Sequence, residues 1–479
     1  MTIASSIANE SSKFHASLRS VVGHDDVLLE DSSVRLYSKP IYKTNPSKND
    51  YKIYTPQIVV KPESTEEVAG IVSLANSNGF AVYVESGGTD SVGGNAPLEP
   101  RSIMLDFMEI DPASMIASVQ AGVGLADLDT ALKKFRLTHG HRPQTYKIAT
   151  VGGSVSSYGA GHEAPGFSPI AENVIGLTVV IGTGEILRIR SVSKSSMGEK
   201  NLMWLFLGLQ GRHGIITEVT LRLQPHFPEN RRPMLIGFKS FEYAARVSFA
   251  IVRKGFRPSL IHARMMSSLQ GKVDDLSKYG KMEGLLELVF DGANKQIVKL
   301  QMFEVSKICR KVGGKILPES IALQSRKDWG SRQGAERIKN QLRERLVTQP
   351  KTASVSTSFL HVRDFFAFIR DVKTIGAKNR VTVAGFSLKL CPMVVALTLS
   401  VQESDYELDQ ARDRLAICKH QVQSKAIELG GTASSINSSV AFQSLWDAEF
   451  GQEGLEVLRN VKLALDPNLT LNRGHGSWK

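Results

Sequence analysis

The stretch Ser86-Gly87-Gly88-Thr89-Asp90-Ser91-Val92-Gly93-Gly94 carries the first chemical signal in the chain. Glycines at this density let consecutive backbone N–H groups converge on an anion without Cβ obstruction, and neighbouring hydroxyls add donors, so a diphosphate fits the turn. Taken alone, the turn reads more readily as a glycine-rich connector. It has no Gly-x-Gly-x-x-Gly opening a helix and no Walker Lys-Ser or Lys-Thr after it, so nicotinamide binding in that mode and P-loop chemistry lose support. Two more small-residue turns follow, Thr150-Val151-Gly152-Gly153-Ser154 and Gly208-Leu209-Gln210-Gly211-Arg212-His213-Gly214. Three such corners can enclose a long ligand. The three cysteines, Cys309, Cys391 and Cys418, lie far apart with no Cys-x-x-Cys pair. That removes a disulfide scaffold and a thiolate zinc cluster, and it fits a reducing, cytoplasmic compartment.

The elements that must position these turns begin near Ile53. Ile58 to Val60 reads as a strand, Ser64 caps a helix whose Val68, Ile71, Val72 and Ala75 share one face, and Phe80 to Val84 is the next strand. This β-α-β unit delivers the chain to the glycine turn. Strands at Ile103 to Asp106 and Ala117 to Ala121, a helix over Leu125 to Phe135, and a hairpin around Thr183-Gly184 complete the region. Pro225 to Pro233 combines breakers with charge and marks a domain boundary. Beyond it a strand and helix theme occurs twice, with helices expected at Phe241 to Lys254, Asn294 to Val312, Arg363 to Ile375 and Tyr406 to Leu429. This pattern predicts an α+β cap of ferredoxin-like pairs, an antiparallel sheet with helices on one face. The expected divisions are residues 1–50, a leader and helix; 51–228, the ligand-binding domain; 229–429, the cap; and 430–479, a returning segment with a helix near Glu453 to Ala464.

At 479 residues the chain suits two or three folding units, and its 42% hydrophobic and 22% charged residues exclude a mainly disordered or collagenous chain. The net charge of +12 makes an anionic partner plausible. Basic residues are scattered in pairs such as Arg231-Arg232 and Lys133-Lys134, with no zinc-finger, RNP or helix-turn-helix spacing, so nucleic acid is disfavoured. No signal peptide is evident, and no stretch reaches the ~18 apolar residues that span a bilayer. Peripheral membrane contact stays open.

Pro56-Gln57-Ile58-Val59-Val60-Lys61-Pro62, Gly87-Gly88-Thr89, Val119-Gln120-Ala121-Gly122-Val123, Thr150 to Gly153 and Gly208 to Thr217 occur in an order and spacing that resemble the FAD-binding domain of the vanillyl-alcohol-oxidase and para-cresol-methylhydroxylase superfamily. Leu465-Asp466-Pro467-Asn468 and Leu471-Asn472-Arg473-Gly474 resemble that family's ending. The resemblance implies an α+β protein with a two-subdomain FAD-binding domain and a ferredoxin-like cap. It places the FAD diphosphate on the backbone of Ser86, Gly87, Gly88, Thr89, Asp90 and Ser91. Thr150, Gly152, Gly153, Ser154, Ser157 and Gly161 come next along the cofactor, with adenine and ribose near Ile216 and Thr217. Some relatives attach the flavin through a histidine after the paired glycines; Thr89 stands there, so the FAD is expected to be dissociable.

Within the superfamily, Gly140-His141-Arg142-Pro143 leading into Thr150 to Gly153 is most similar to alkyldihydroxyacetonephosphate synthase and the glycolate oxidase and D-lactate dehydrogenase group. Their C-terminal histidine motif is replaced here: Gly430-Gly431-Thr432 is followed by Ser435-Ile436-Asn437, none of which accepts a proton near neutral pH. The cap strands from Phe386 to Ser400 hold no histidine, so no metal is expected. His162 and Tyr158 follow the second glycine turn on the side where the family's flavin ring lies, and become the candidate catalytic groups. A structural or solvated histidine is the alternative. Arg326 and Arg332 flank Trp329 in a stretch resembling the one that holds a carboxylate in the hydroxy-acid group; a basic helix face is the other explanation. The resemblance thus implies an FAD-dependent oxidoreductase taking a hydride from a D-2-hydroxy acid such as lactate or glycolate, reoxidised by oxygen, a quinone or a redox protein. The alternatives are a transferase acting on a phosphorylated lipid precursor, and a flavin-binding protein without turnover.

Overall fold

The computed structural model describes residues 3–29, 56–86, 102–103, 110–111, 115–143, 145–190, 199–266, 276, 279–326, 353–389, 394–400, 408–433 and 443–474. Gly87, Gly88, Thr89, Asp90, Ser91, Arg332 and the Ser435-Ile436-Asn437 run lie outside them.

Helix α1 (Ile3–Val22) packs on α2 (Thr65–Asn78) because both present an apolar face to one core. Ser64 accepts the Glu67 N–H at the start of α2, and Gly79, at φ 72°, closes it in the left-handed region where a glycine carries no Cβ penalty. Val68, Ile71, Val72 and Ala75 meet Phe14, Leu18, Phe80 and Val82 inside. Four short strands surround them, β1 (Val27–Leu28) antiparallel to β2 (Val59–Val60) and β3 (Ala81–Val82) parallel to β4 (Ser102–Ile103).

The second unit contains β5 (Ile110–Asp111), β6 (Ile116–Gln120), α3 (Leu125–Lys133), β7 (Leu137–Thr138), α4 (Val151–Ser156), α5 (Ala164–Phe167), β8 (Val174–Val180), β9 (Ile186–Arg190), β10 (Ile215–Arg222) and β11 (Gln224–Pro225). Its sheet runs β5-β6-β10-β8-β9, every neighbour antiparallel, and β7 pairs with β11. All seven residues of β8 are buried, since α2 packs against it while Leu177 and Val179 face the unit's own core. A strand covered on both faces reads as a continuous apolar run, as Val174 to Val180 does.

The cap comprises β12 (Arg232–Phe238), α6 (Phe241–Arg253), β13 (Leu260–Met265), β14 (Gly284–Phe290), α7 (Lys295–Lys311), β15 (Lys315–Ile316), α8 (Glu319–Gln324), β16 (Ala353–Phe359), α9 (Phe365–Lys378), β17 (Thr382–Lys389), β18 (Val394–Ser400), α10 (Leu408–Glu428) and β19 (Thr432–Ala433). Its antiparallel sheet has the order β15-β12-β14-β13-β17-β18-β16-β19. Each half is a β-α-β-β-α-β unit, and the halves meet edge to edge where His262, Ala263 and Arg264 of β13 pair with Lys389, Leu388 and Ser387 of β17. Side chains from α6, α7, α9 and α10 bury Ile236, Ile261, Leu286 and Leu388 on one face. The doubled theme expected from the sequence is therefore one continuous sheet.

The chain ends in α11 (Gln443–Leu465), kinked at Gly451, whose φ is 67°. This helix begins ten residues before the one expected at Glu453, because the glycine breaks the periodicity that the sequence displays. After it the chain returns to the first unit: Leu471 bridges Val82, Val82 N–H donates to Thr470 O at 2.7 Å, and Asn472 N–H donates to Val82 O at 2.9 Å. Lys462 and Asp466, buried one helical turn apart, hold this return. The Lys462 ammonium donates to Asp466 at 2.5 Å, to Leu471 O at 2.9 Å, and to Arg212 O, while Asp466 accepts the Thr470 and Leu471 N–H groups at 2.8 Å. Burial pulls the Lys462 pKa down, and the Asp466 charge opposes that. Removing one partner strands the other charge. Lys462→Met is expected to destabilise the protein by about 3–5 kcal/mol in denaturant unfolding; a loss below about 1 kcal/mol, typical of exposed pairs, would contradict this role.

Candidate functional site

Helix α4 gathers the small-residue turns. Thr150 caps it, its hydroxyl accepting the Gly153 N–H at 3.2 Å, and Ser86 Oγ donates to the same hydroxyl at 2.8 Å. The N–H groups of Val151 and Gly152 donate to Val123 O and Ala121 O at 2.9 and 2.8 Å. At the other end, Val155 O and Ser156 O accept the N–H groups of Gly208 and Gln210 at 3.2 and 2.9 Å. One short helix thus fixes Ser86, the Gln120 to Val123 corner and the Gly208 to Gly214 loop relative to one another. Glycine at 152 makes this possible, because a methyl there would overlap Ala121 Cβ and lie 2.9 Å from Ala121 Cα.

The expected cofactor residues divide into two groups. Gly153 and Ser157 lie on the exposed side of α4, with no side chain larger than a hydroxymethyl, whereas Gly152 and Ser154 are buried. Thr217 is buried and its hydroxyl is already engaged, receiving a bond from Thr65 Oγ1 at 2.9 Å and donating to Thr178 O at 3.3 Å, so it ties the two units together. Ile216 belongs to the core beside Val219. Gly161, at φ 67°, packs against the His141 ring. The N–H groups of Val151, Gly152 and Gly153 all have protein acceptors, which leaves the N-terminus of α4 with scaffolding rather than anion-binding work.

Two buried side chains fit a bound dinucleotide. Gln120 and Gln210, in corners tied to α4, each bury a side-chain carbonyl oxygen without a hydrogen-bond partner among the described residues. An unmatched buried acceptor costs about 1–3 kcal/mol, and FAD carries N–H donors on both of its ring systems. The donor set, the exposed glycine and serine of α4 and the unmatched acceptors therefore suit FAD. Arg212 lies in the same loop, fully buried, with its Nε bonded to Leu209 O at 3.0 Å and its guanidinium 5.3 Å from the Trp446 ring.

His162 and Tyr158 occupy different surroundings. Tyr158 is half-buried at φ 53°, beside Gly208 and Trp204, and burial raises its hydroxyl pKa, with Glu172 adding to the effect. It stays a neutral donor at physiological pH. His162 is buried where the FAD-binding unit meets the cap, its ring centroid 5.8 Å from that of His262. Around this contact runs an ion network that sequence reasoning missed. Glu163 meets Arg231 and, at 3.6 Å, Arg326; Glu287 accepts from Arg326 at 2.9 Å and from Arg264 at 3.0 Å, and lies 3.9 Å from His262. Arg326, which the sequence offers as a substrate clamp, is thus engaged by two of the protein's own carboxylates. The available signal was a charge inside an apolar strand, His262 and Arg264 two residues apart in β13 and Glu287 within Leu285-Leu286-Glu287-Leu288. Among the described residues, no group of three or more His, Cys, Asp or Glu side chains is placed to hold a metal ion.

With this geometry in view, the comparisons are direct. Residues 56–190 match an FAD binding domain, and residues 227–475 match the C-terminal domain of FAD linked oxidases. The glycolate oxidase subunit GlcD of Bacillus subtilis is 23% identical over 432 residues, 88% of each chain. A D-lactate dehydrogenase of Anaerostipes hadrus is 27% identical over 445 residues, 88% of this chain and 90% of that one. Among solved structures, p-cresol methylhydroxylase with substrate bound superposes at a TM-score of 0.74 with 16% identity, covering 97% of this chain and 96% of that one. Alkyldihydroxyacetonephosphate synthase superposes at 0.72 with 19% identity, covering 96% and 84%. The fold is therefore the two-part FAD-binding arrangement of p-cresol methylhydroxylase with an α+β cap. The chain belongs to the FAD-linked oxidases, and its cofactor is FAD.

Two outcomes test this geometry. Gly152→Ala is expected to cost about 1–3 kcal/mol in the apoprotein by overpacking α4 against Ala121, whereas Gly153→Ala, on the exposed side and close only to the movable Thr150 hydroxyl at 3.1 Å, should cost less than about 1 kcal/mol. Equal losses in denaturant unfolding would remove the distinction. The second concerns His139, whose pKa burial pushes down to about 4, with Leu125 O and Glu163 pulling the other way. Its neutral ring donates from Nε2 to Leu125 O at 3.0 Å and accepts the His141 N–H at Nδ1 at 3.1 Å, so a second ring proton would lose that bond. The folded pKa lies below the unfolded one, so the unfolded chain binds the proton first; stability is complete above about pH 6.5 and is lost as pH falls towards 4, by about 3 kcal/mol. His139→Gln should flatten the fall in unfolding free energy over that window; an unchanged slope would refute the assignment.

Proposed function

We propose that this FAD-linked oxidoreductase takes a hydride from a hydroxyl-bearing small molecule, a D-2-hydroxy acid such as lactate or glycolate. The carrying observation is Arg264 at the centre of the cap sheet: its Nε is buried and has no acceptor among the described residues, although its other end is paired with Glu287. A guanidinium with one paired and one unsatisfied edge suits a substrate carboxylate. Burial and Arg326 pull the Arg264 pKa down, and Glu287 sustains its charge. The names of the glycolate oxidase and D-lactate dehydrogenase relatives favour the same substrate class.

FAD supplies the hydride acceptor. The Ser86 to Ser91 backbone would hold its diphosphate, with Thr150, Gly153, Ser154, Ser157 and Gly161 along its length and Gly152, Ile216 and Thr217, packed or bonded within the protein, supporting that surface from behind. His162 takes the hydroxyl proton in place of the absent C-terminal histidines, Tyr158 donates a hydrogen bond, and Arg332 supplies a second cation. With Thr89 after the paired glycines, no histidine stands there to carry the flavin, so acid precipitation should release the chromophore into the supernatant.

Anaerobic addition of D-lactate or glycolate should bleach the flavin absorbance, and His162→Gln should slow that bleaching by about 10²–10⁴-fold with FAD content unchanged. A transferase would exchange acyl for alkoxide without net bleaching. Protein that stays yellow with every D-2-hydroxy acid tried would overturn the substrate assignment.

A further inference from the structure

Helix α7 has two apolar faces where the cap core requires one. Val298, Val305 and Cys309 point inward and are buried with the cap core. On the outside, Ile297, Leu300 and Phe303 form a ridge at three-residue spacing and are 56%, 60% and 53% exposed. Val312, 44% exposed, follows at the end of the helix. Single exposed apolar residues are ordinary; a ridge of three large ones on one helix face is not.

The charges on the same helix are one-sided. Lys295, Lys299, Lys307, Arg310 and Lys311 face a single acid, Glu304, which is paired with Lys307 at 2.8 Å. The Lys307 ammonium also lies 4.2 Å from the Phe303 ring centroid. Lysines therefore interleave with the apolar ridge instead of forming a separate rim. A dry protein interface would have to desolvate them, and lysine is depleted from such interfaces. At a lipid headgroup layer the side chains sink to the acyl boundary while ammonium groups stay among phosphates. Among the described residues the main packing partners of the helix are α6, β12, β14 and β15 of the cap, on the β15 edge of the sheet. Among the described residues, no helix is long and apolar enough to cross a membrane.

We propose that the outer face of α7 docks this protein onto an anionic lipid surface, with Ile297, Leu300 and Phe303 inserted and the helix cations on the headgroups. The test is co-flotation of the FAD-loaded protein with vesicles of phosphatidylcholine alone or mixed with phosphatidylglycerol. Preference for the anionic vesicles by about tenfold or more is expected, weakening with salt. Leu300→Ser with Phe303→Ser, and separately Lys299→Glu with Lys311→Glu, should each reduce that binding about tenfold; unchanged flavin absorbance in both confirms an intact fold. Absence of anionic preference, or binding indifferent to both pairs of substitutions, overturns the proposal. So does light scattering that finds a dimer which the Leu300 and Phe303 variant converts to monomer, since the ridge would then be a self-association surface.

Discussion

The close approach of Gly152 to Ala121 governs the cofactor site. Backbone N–H groups at 151 and 152 reach the carbonyls of Val123 and Ala121 only because no side chain separates the segments. Once α4 is seated, its capping threonine meets Ser86 and its last carbonyls receive the Gly208 loop. Corners more than a hundred residues apart in sequence are thereby held in one frame. A ligand lying along the described corners would meet a surface already assembled, which reduces the ordering that binding must impose.

The boundary with the cap is set by charge. Glu163 and Glu287 alternate with Arg231, Arg326 and Arg264 across the boundary between the FAD-binding unit and the cap. Buried ion pairs of this kind contribute little net stability, because desolvation offsets most of the attraction, but a misplaced partner is strongly disfavoured. The network therefore fixes how the cap sits more than how tightly it is bound. Arg231 belongs to the connection between the two bodies, where Asn230 also donates to Gly292 O and Ala293 O at 2.9 and 3.1 Å. A segment rich in proline and arginine, which reads as a plain boundary in the sequence, takes part in the docking.

Most regular elements were legible because their burial has one period. The faces of α2, α6 and α9 and the apolar runs of β8, β13 and β14 all follow from spacing. Helix α4 was not, since Val-Gly-Gly-Ser-Val-Ser has poor helix propensity and is held by external acceptors and a cap. The first half of α11 was hidden by Gly451. Within the site, the glycine corners were visible as composition, whereas the division of labour was not. No local signal says that the Thr217 hydroxyl is consumed by Thr65 and Thr178, or that Arg326 answers to Glu163 and Glu287. Those partners come from distant segments, and only the folded chain brings them together.

The edge-to-edge joining of the two cap halves has an evolutionary consequence. Along the seam the halves share the pairing of His262, Ala263 and Arg264 with Lys389, Leu388 and Ser387, and on the helix side Phe241 stacks on Phe386 with centroids 5.7 Å apart while Phe249 meets Phe365 edge-on at 5.5 Å. The two halves share one topology, as the products of a tandem duplication would, and their fusion lets anchorage and diversification be separated. The copy bearing Glu287 is tethered to the flavoprotein body, so mutational drift there is constrained. Its sister copy carries β16 to β19 on the same sheet, so the two halves can diverge in sequence while sharing one seam, a route by which one scaffold can acquire many chemical tastes.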